Sequence, residues 1–114
     1  MENVIADKSF HFAVRIVNLC RYLQTEQKEF VLTKQLLRCG TSIGANVSES
    51  QQAQSRPDFI SKLNIALKEA CETNYWLRLL HETKFLTEDT FQSIITDCQE
   101  LERLLISIIK KAKE

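Results

Sequence analysis

Leu36-Leu-Arg-Cys-Gly-Thr-Ser-Ile-Gly-Ala-Asn-Val-Ser-Glu-Ser50 holds both glycines of a 114-residue chain, and its Gly-Thr-Ser and Gly-Ala-Asn triplets read locally as turns. The apolar spacing decides against turns. Leu32, Leu36, Cys39, Ile43 and Val47 recur every three or four residues straight through both glycines, and no proline interrupts them. That is the period of an amphipathic helix. Each glycine then costs roughly 1 kcal/mol against alanine, so a close approach by a neighbouring helix is the expected return. At about 100° per residue, Gly40, Gly44 and Ser48 lie along one edge of the apolar stripe, and Arg38, Ser42, Asn46 and Glu49 along the other. One edge admits a neighbour; the other offers hydrogen bonds and charge.

Outward from this helix, three more segments carry the same period. The first runs from about Asn3 or Asp7 to about Thr25, with Ile5, Phe12, Ile16, Leu19 and Leu23 on its stripe and Lys8, Arg15 and Arg21 on its polar face. The central helix spans about Glu29 to Ala53, after the polar connection Glu26-Gln-Lys28. The third starts at Ser55-Arg-Pro-Asp58, a capping serine followed by an early proline and an acid, and continues to about Thr83. Its seam is Phe59, Leu63, Ala66, Ala70, Thr73, Leu77 and Leu80, alternating spacings of four and three. The fourth starts at Thr87, with Leu86 and Phe91 placed as a hydrophobic staple, and runs to about Lys111. Four long helices with short connections must fold back on one another, so the expected architecture is an all-α, up-down-up-down antiparallel four-helix bundle forming one domain over 1–114.

Composition narrows the function classes. Fifteen basic and fifteen acidic residues give a formal charge of zero, which withholds the global positive field typical of nucleic-acid binders. The longest apolar run, Leu104 to Ile109, contains Ser107 and is far shorter than the roughly 20 residues that span a bilayer. Met1 to Lys8 lack the basic and apolar regions of a signal peptide. A cytoplasmic protein without membrane contact is expected. Cys20, Cys39, Cys71 and Cys98 are isolated and fall on apolar stripes, so they read as small buried thiols. One cysteine per helix would allow a four-cysteine zinc site, but the usual paired spacing is absent, and no metal or other cofactor is expected.

No catalytic constellation emerges. Di-metal bundles take Glu-x-x-His from two helices, and neither His11 nor His81 has a glutamate three residues before it. No nucleophile motif accompanies either histidine. A non-enzymatic chain with no small-molecule substrate is the resulting expectation. Arg38, Ser42, Asn46 and Glu49 are expected to pair with Glu69 and Glu72 of the third helix and so to set helix register. The third helix also carries a second row, Ile65, Glu69, Glu72, Trp76 and Leu79, and the fourth adds Ile95, Ile106 and Ile109 outside its seam. These apolar residues either widen the contact with flanking helices or form an oligomer interface, and the interface is the preferred reading. Arg103, Lys110, Lys111 and Lys113 form the one dense basic cluster, suited to a helix C-terminus or to phosphate contact. Tyr75 and Trp76 are core or interface aromatics, with base stacking as the lesser alternative.

Phe10-x-x-Ala13, the run Gln35 to Glu49, Asp58-Phe59 and Ile65-Ala-Leu-Lys-Glu-Ala-Cys-Glu-Thr-Asn-Tyr-Trp-Leu77 resemble the small bacterial four-helix bundle proteins first noticed as reading frames in intervening sequences of 23S ribosomal RNA genes. The likeness covers nearly the whole chain. It implies a left-handed bundle assembled as a homopentameric ring in a bacterial cytoplasm, with no enzymatic activity. The same look extends to accessory variability-determinant proteins of diversity-generating retroelements, pentamers with basic surfaces that are thought to bind a reverse transcriptase and nucleic acid. Here the balanced charge departs from that pattern. Two functional expectations follow: a self-assembling module that presents a surface to ribosomal or other structured RNA or a ribonucleoprotein, or a protein-binding scaffold that contacts no nucleic acid.

Overall fold

A computed structural model describes residues 3–114 as four helices: α1 (Val4–Glu26), α2 (Leu32–Ser50), α3 (Arg56–Glu82) and α4 (Glu88–Ala112). Among the described residues there is no strand. Three of the four starts are capped as their sequences dictate. The side chains of Asn3, Ser55 and Thr87 accept from the backbone N–H groups of Ala6, Asp58 and Thr90, satisfying donors that a helix N-terminus leaves without partners.

The second helix begins differently, three residues later than its polar spacing suggests. No Ser, Thr, Asp or Asn occupies the cap position; Val31 does, with no side-chain bond. The Glu29 carboxylate does the capping from the preceding loop, accepting from the N–H groups of Val31 (3.2 Å), Leu32 (2.9 Å) and Thr33 (2.8 Å). Partial burial alone would raise the carboxyl pKa, but these hydrogen bonds outweigh it and hold Glu29 below the ordinary carboxylate value. The helix end also comes earlier than expected, at Ser50, where the Ser50 hydroxyl turns back to Val47 O at 2.6 Å.

Each helix packs against its neighbours in sequence, and α1 closes the square against α4; the backbones of the diagonal pairs stay apart. The bundle measures 44 × 23 × 20 Å, its long axis set by the roughly 1.5 Å rise per residue of its longest helix. The core contains Phe12, Ile16 and Leu23 from α1, Leu36, Ile43 and Val47 from α2, Leu63, Leu77 and Leu80 from α3, and Ile94, Leu101 and Leu105 from α4. Burial of such side chains, at about 25 cal/mol per Å² of apolar surface, is the main force holding the four helices together.

Two expectations for α4 need correction. Ile95 and Ile109, grouped from the sequence with the candidate oligomer interface, are each 5% exposed and belong to the chain's own core. They share a helical flank with Cys98 and Glu102, and that flank faces α3: Cys98 Sγ lies 3.4 Å from Ala70 O, and Asn74 Nδ2 donates to Glu102 Oε1 at 3.0 Å. A bundle helix wedged between two neighbours buries a face wider than a two-position seam. The cysteines split as well. Cys20, Cys39 and Cys98 are buried, but Cys71 is exposed, beside the Glu102 carboxylate at 3.5 Å.

Candidate interaction surfaces

The two edges of α2 do different physical work. Gly40 and Gly44 face α1 at contact distance: a Cβ placed on Gly40 would lie 2.8 Å from Ile16 Cγ2, and one on Gly44 would lie 3.1 Å from the backbone oxygen of Ser9. The first is a clash with a fully buried, β-branched side chain, stiff about χ1; the second is a tight contact with main chain, relieved only if the backbone gives by a few tenths of an ångström. Ser9 is itself buried, its hydroxyl donating to Ala6 O at 3.2 Å. Ser48, on the same edge by helical projection, is exposed, so the close approach ends before it.

On the opposite edge, Arg38 reaches across to α3 and pairs with both Glu69, at 3.1 Å, and Glu72. Glu72 Oε2 also accepts from the indole N–H of Trp76 at 3.0 Å, so one carboxylate joins an α2 cation to an α3 aromatic. Glu69 keeps only 12% of its side chain exposed, whereas half of Arg38 is in solvent. The remaining members of the expected polar set are not brought to these carboxylates. Ser42 Oγ donates to Arg38 O at 2.6 Å and Asn46 Nδ2 to Ser42 O at 2.8 Å, both within α2. Glu49 pairs instead with Lys62, at 3.4 Å. Serine and asparagine have short side chains that find the carbonyl one turn back more readily than a partner helix, and two facing glutamates would repel Glu49.

Of the apolar candidates, Ile65 is 41% and Ile106 54% exposed, while Trp76 and Leu79 are half-buried. A second exposed apolar patch lies on α1, where Phe10 and Val14 are one turn apart. Arg103, Lys110, Lys111 and Lys113 are exposed along the last turns of α4. A cross-bundle set was also missed: Arg15 donates to Asp97 at 2.6 Å and to Ser93 Oγ at 3.0 Å, and Lys8 pairs with Glu100 at 3.2 Å. These pairs tie α1 to α4, and no spacing within either helix could have matched them.

The thiols and histidines show no catalytic arrangement among the described residues. Burial pushes the Cys20 thiol up to about 12 and Cys39 up to about 11, and it raises Cys98 further; such thiols stay protonated and unreactive. Imidazole contacts are local: His11 Nδ1 lies 2.8 Å from Asp7 O, and His81 stacks on Phe91 with Nε2 3.2 Å from Glu88. Among the described residues no three His, Cys, Asp or Glu side chains gather in a group able to hold a metal ion, and no helix is long and apolar enough to cross a membrane.

Comparison with known proteins agrees with this architecture. A crystal structure of a protein of unknown function from the S23 ribosomal protein family of Bacteroides thetaiotaomicron VPI-5482 is similar, with a TM-score of 0.92 and 63% sequence identity; the match covers 93% of this chain and 98% of that one. No curated protein matches the chain. The family model for the 23S rRNA-intervening sequence protein matches residues 1–107, nearly the full length and both edges of α2. A glycine-lined helix, an Arg38-bridged pair of glutamates and a four-helix square thus lie within one family match: the chain belongs to the 23S rRNA-intervening sequence protein family.

Proposed function

We propose that this chain is a non-enzymatic, self-assembling module of the bacterial cytoplasm, a homopentameric ring whose outer surface meets ribosomal RNA, another structured RNA or a ribonucleoprotein. The observation that carries the assembly is the presence of exposed apolar side chains on separate faces of one small bundle: Phe10 and Val14 on α1, Ile65 on α3 and Ile106 on α4. A ring is built from heterologous contacts, in which one patch meets a different patch on the next copy, and separate faces are what such contacts require. Arg38, Glu69, Glu72 and Trp76 then fix the register of the α2–α3 pair on which Ile65 sits. The RNA reading is supported by the ribosomal RNA context in the family's name and the ribosomal-protein family of the similar structure. Lys110, Lys111, Lys113 and Arg103 supply the phosphate contacts.

Light scattering after gel filtration tests the assembly. A species of several chains is expected, and a clean 13.2 kDa monomer at micromolar concentration would reject it. Binding to 23S rRNA fragments should weaken as salt rises, because phosphate contacts release counterions. Lys110→Ala with Lys111→Ala should flatten that salt slope by up to about 2. A specific observation favours a second reading, a protein-binding scaffold without nucleic acid: the formal charge is zero. Absence of RNA binding at low salt would select it.

A further inference from the structure

The two described non-glycine residues with positive φ lie at one end of the bundle. Lys28 (φ 55°) follows α1 and Lys84 (φ 69°) follows α3, and in an antiparallel bundle the C-termini of α1 and α3 share an end. Glycine takes this left-handed conformation without strain and is the usual residue just past a helix end, yet both positions carry lysine. Lys84 is held there by the backbone bonds from Phe85 N to Leu80 O (2.9 Å) and from Lys84 N to His81 O (3.0 Å). Beside it opens a cavity of about 640 Å³, within the size range of small-ligand sites.

Its walls have a particular chemistry. Leu19 and Phe85 supply apolar surface, and Tyr22, half exposed, adds a second ring. Gln27, which can donate and accept, and the Thr90 hydroxyl add neutral polar groups. Lys84 and Glu82 bring one formal charge of each sign to the lining, and the His81 imidazole, turned to Glu88 at 3.2 Å, completes it, so with a neutral imidazole the cavity has no formal excess of positive charge with which to hold a free phosphate. Rings, an apolar wall and neutral donors and acceptors instead suit a flat, uncharged heterocycle with a hydrogen-bonding edge. We propose that this end cavity holds a nucleobase, stacked against Tyr22 or Phe85 and read along its edge by Gln27 and Thr90. The base can come from a free nucleoside or from an unpaired nucleotide of an RNA; the second source alone rests on the RNA reading above.

Two titrations of ¹⁵N-labelled protein followed by NMR test this, one with adenosine and one with an RNA hairpin whose loop is unpaired adenosine. The expected result is saturable amide shifts at Tyr22, Gln27, Lys84 and Phe85 with at least one probe, and an adenosine affinity that barely changes with salt. Tyr22→Ala should weaken binding about tenfold, as expected for loss of one base–aromatic stack. Because Tyr22 is half in solvent, the variant should melt as the parent does; Gln27→Ala, on an exposed loop, serves as a second probe of the same wall. Lack of saturable shifts at these residues with both probes, or shifts unaltered in both variants, would overturn the proposal. Adenosine binding without RNA binding upholds the cavity and removes the RNA reading. RNA binding that depends on Lys110 and Lys111 and leaves the cavity unperturbed does the reverse.

Discussion

The α1-facing edge of α2 and its α3-facing edge solve the same problem, holding a neighbour in register, by opposite means. Toward α1 the solution is volume: Gly40 and Gly44 remove side chain so that Ile16 and the Ser9 backbone can come within 2.8 and 3.1 Å of where a Cβ would be. Toward α3 it is charge: Arg38 spans Glu69 and Glu72 at a solvent-facing rim. A close-packed contact has no slack and no screening, whereas a half-exposed ion pair is weakened by water and salt. The glycine edge should therefore dominate stability, and the charged edge should contribute mainly orientation.

The sharpest way to break this comparison is Gly44→Leu. Forcing a side chain against the Ser9 carbonyl should lower unfolding free energy by about 3 kcal/mol, the upper part of the overpacking range, measured by urea denaturation. An unchanged midpoint would show that the α1–α2 seam is looser than its geometry. Next in size is the loop that starts α2, on which both edges depend. Glu29→Gln should cost about 1 kcal/mol at neutral pH, as loss of a helix cap does. The sign with pH follows from the lowered carboxyl of Glu29: its contribution is present above the unfolded value, 4.5, and is lost as pH falls through the folded one. Parent and variant should thus converge in acid, and a constant gap down to about pH 2 would exclude the cap as the cause.

A smaller effect is expected at the charged edge. Arg38→Ala should cost about 0.5 kcal/mol and respond to salt, with the low exposure of Glu69 keeping it above zero; a loss as large as that of Gly44→Leu would reverse the ranking. The smallest change goes the other way. Lys84→Gly relieves a left-handed backbone and should stabilise the chain by up to about 1 kcal/mol, with thermal melting as the measure, even as it removes a wall of the end cavity.

How much of this was legible in the sequence depended on whether the signal was local. Asn3, Ser55 and Thr87 act on donors within three residues of themselves, and the four helices follow from apolar periods inside each segment. Both are written in consecutive residues. Glu29 was misplaced as helix because it caps from outside with a long side chain, where a short Ser or Asp is the recognisable sign. Lys28 and Lys84 gave no turn signal, since lysine rarely takes the left-handed region. The site residues were harder still. Arg38 with Glu69 and Glu72 could be matched across two helices because opposite charges faced one another, but Ser42, Asn46 and Glu49 had nearer partners. Ile95 and Ile109 could not be sorted from Ile65 and Ile106 by hydrophobicity; only the angle at which α4 meets α3 separates them.

The square arrangement has a kinetic consequence. Three of its sides join helices adjacent along the chain, through short connections that give contacts of low sequence separation; such hairpins form fast. The α1–α4 side alone joins the two ends of the described chain, and it is the most open of the four, tied by Arg15–Asp97 and Lys8–Glu100. Closing it is the one long loop closure in folding and should come last. Its opening should be the cheapest excursion of the native bundle, so amide hydrogens on the facing flanks of α1 and α4 should exchange before those of the α1–α2 glycine seam.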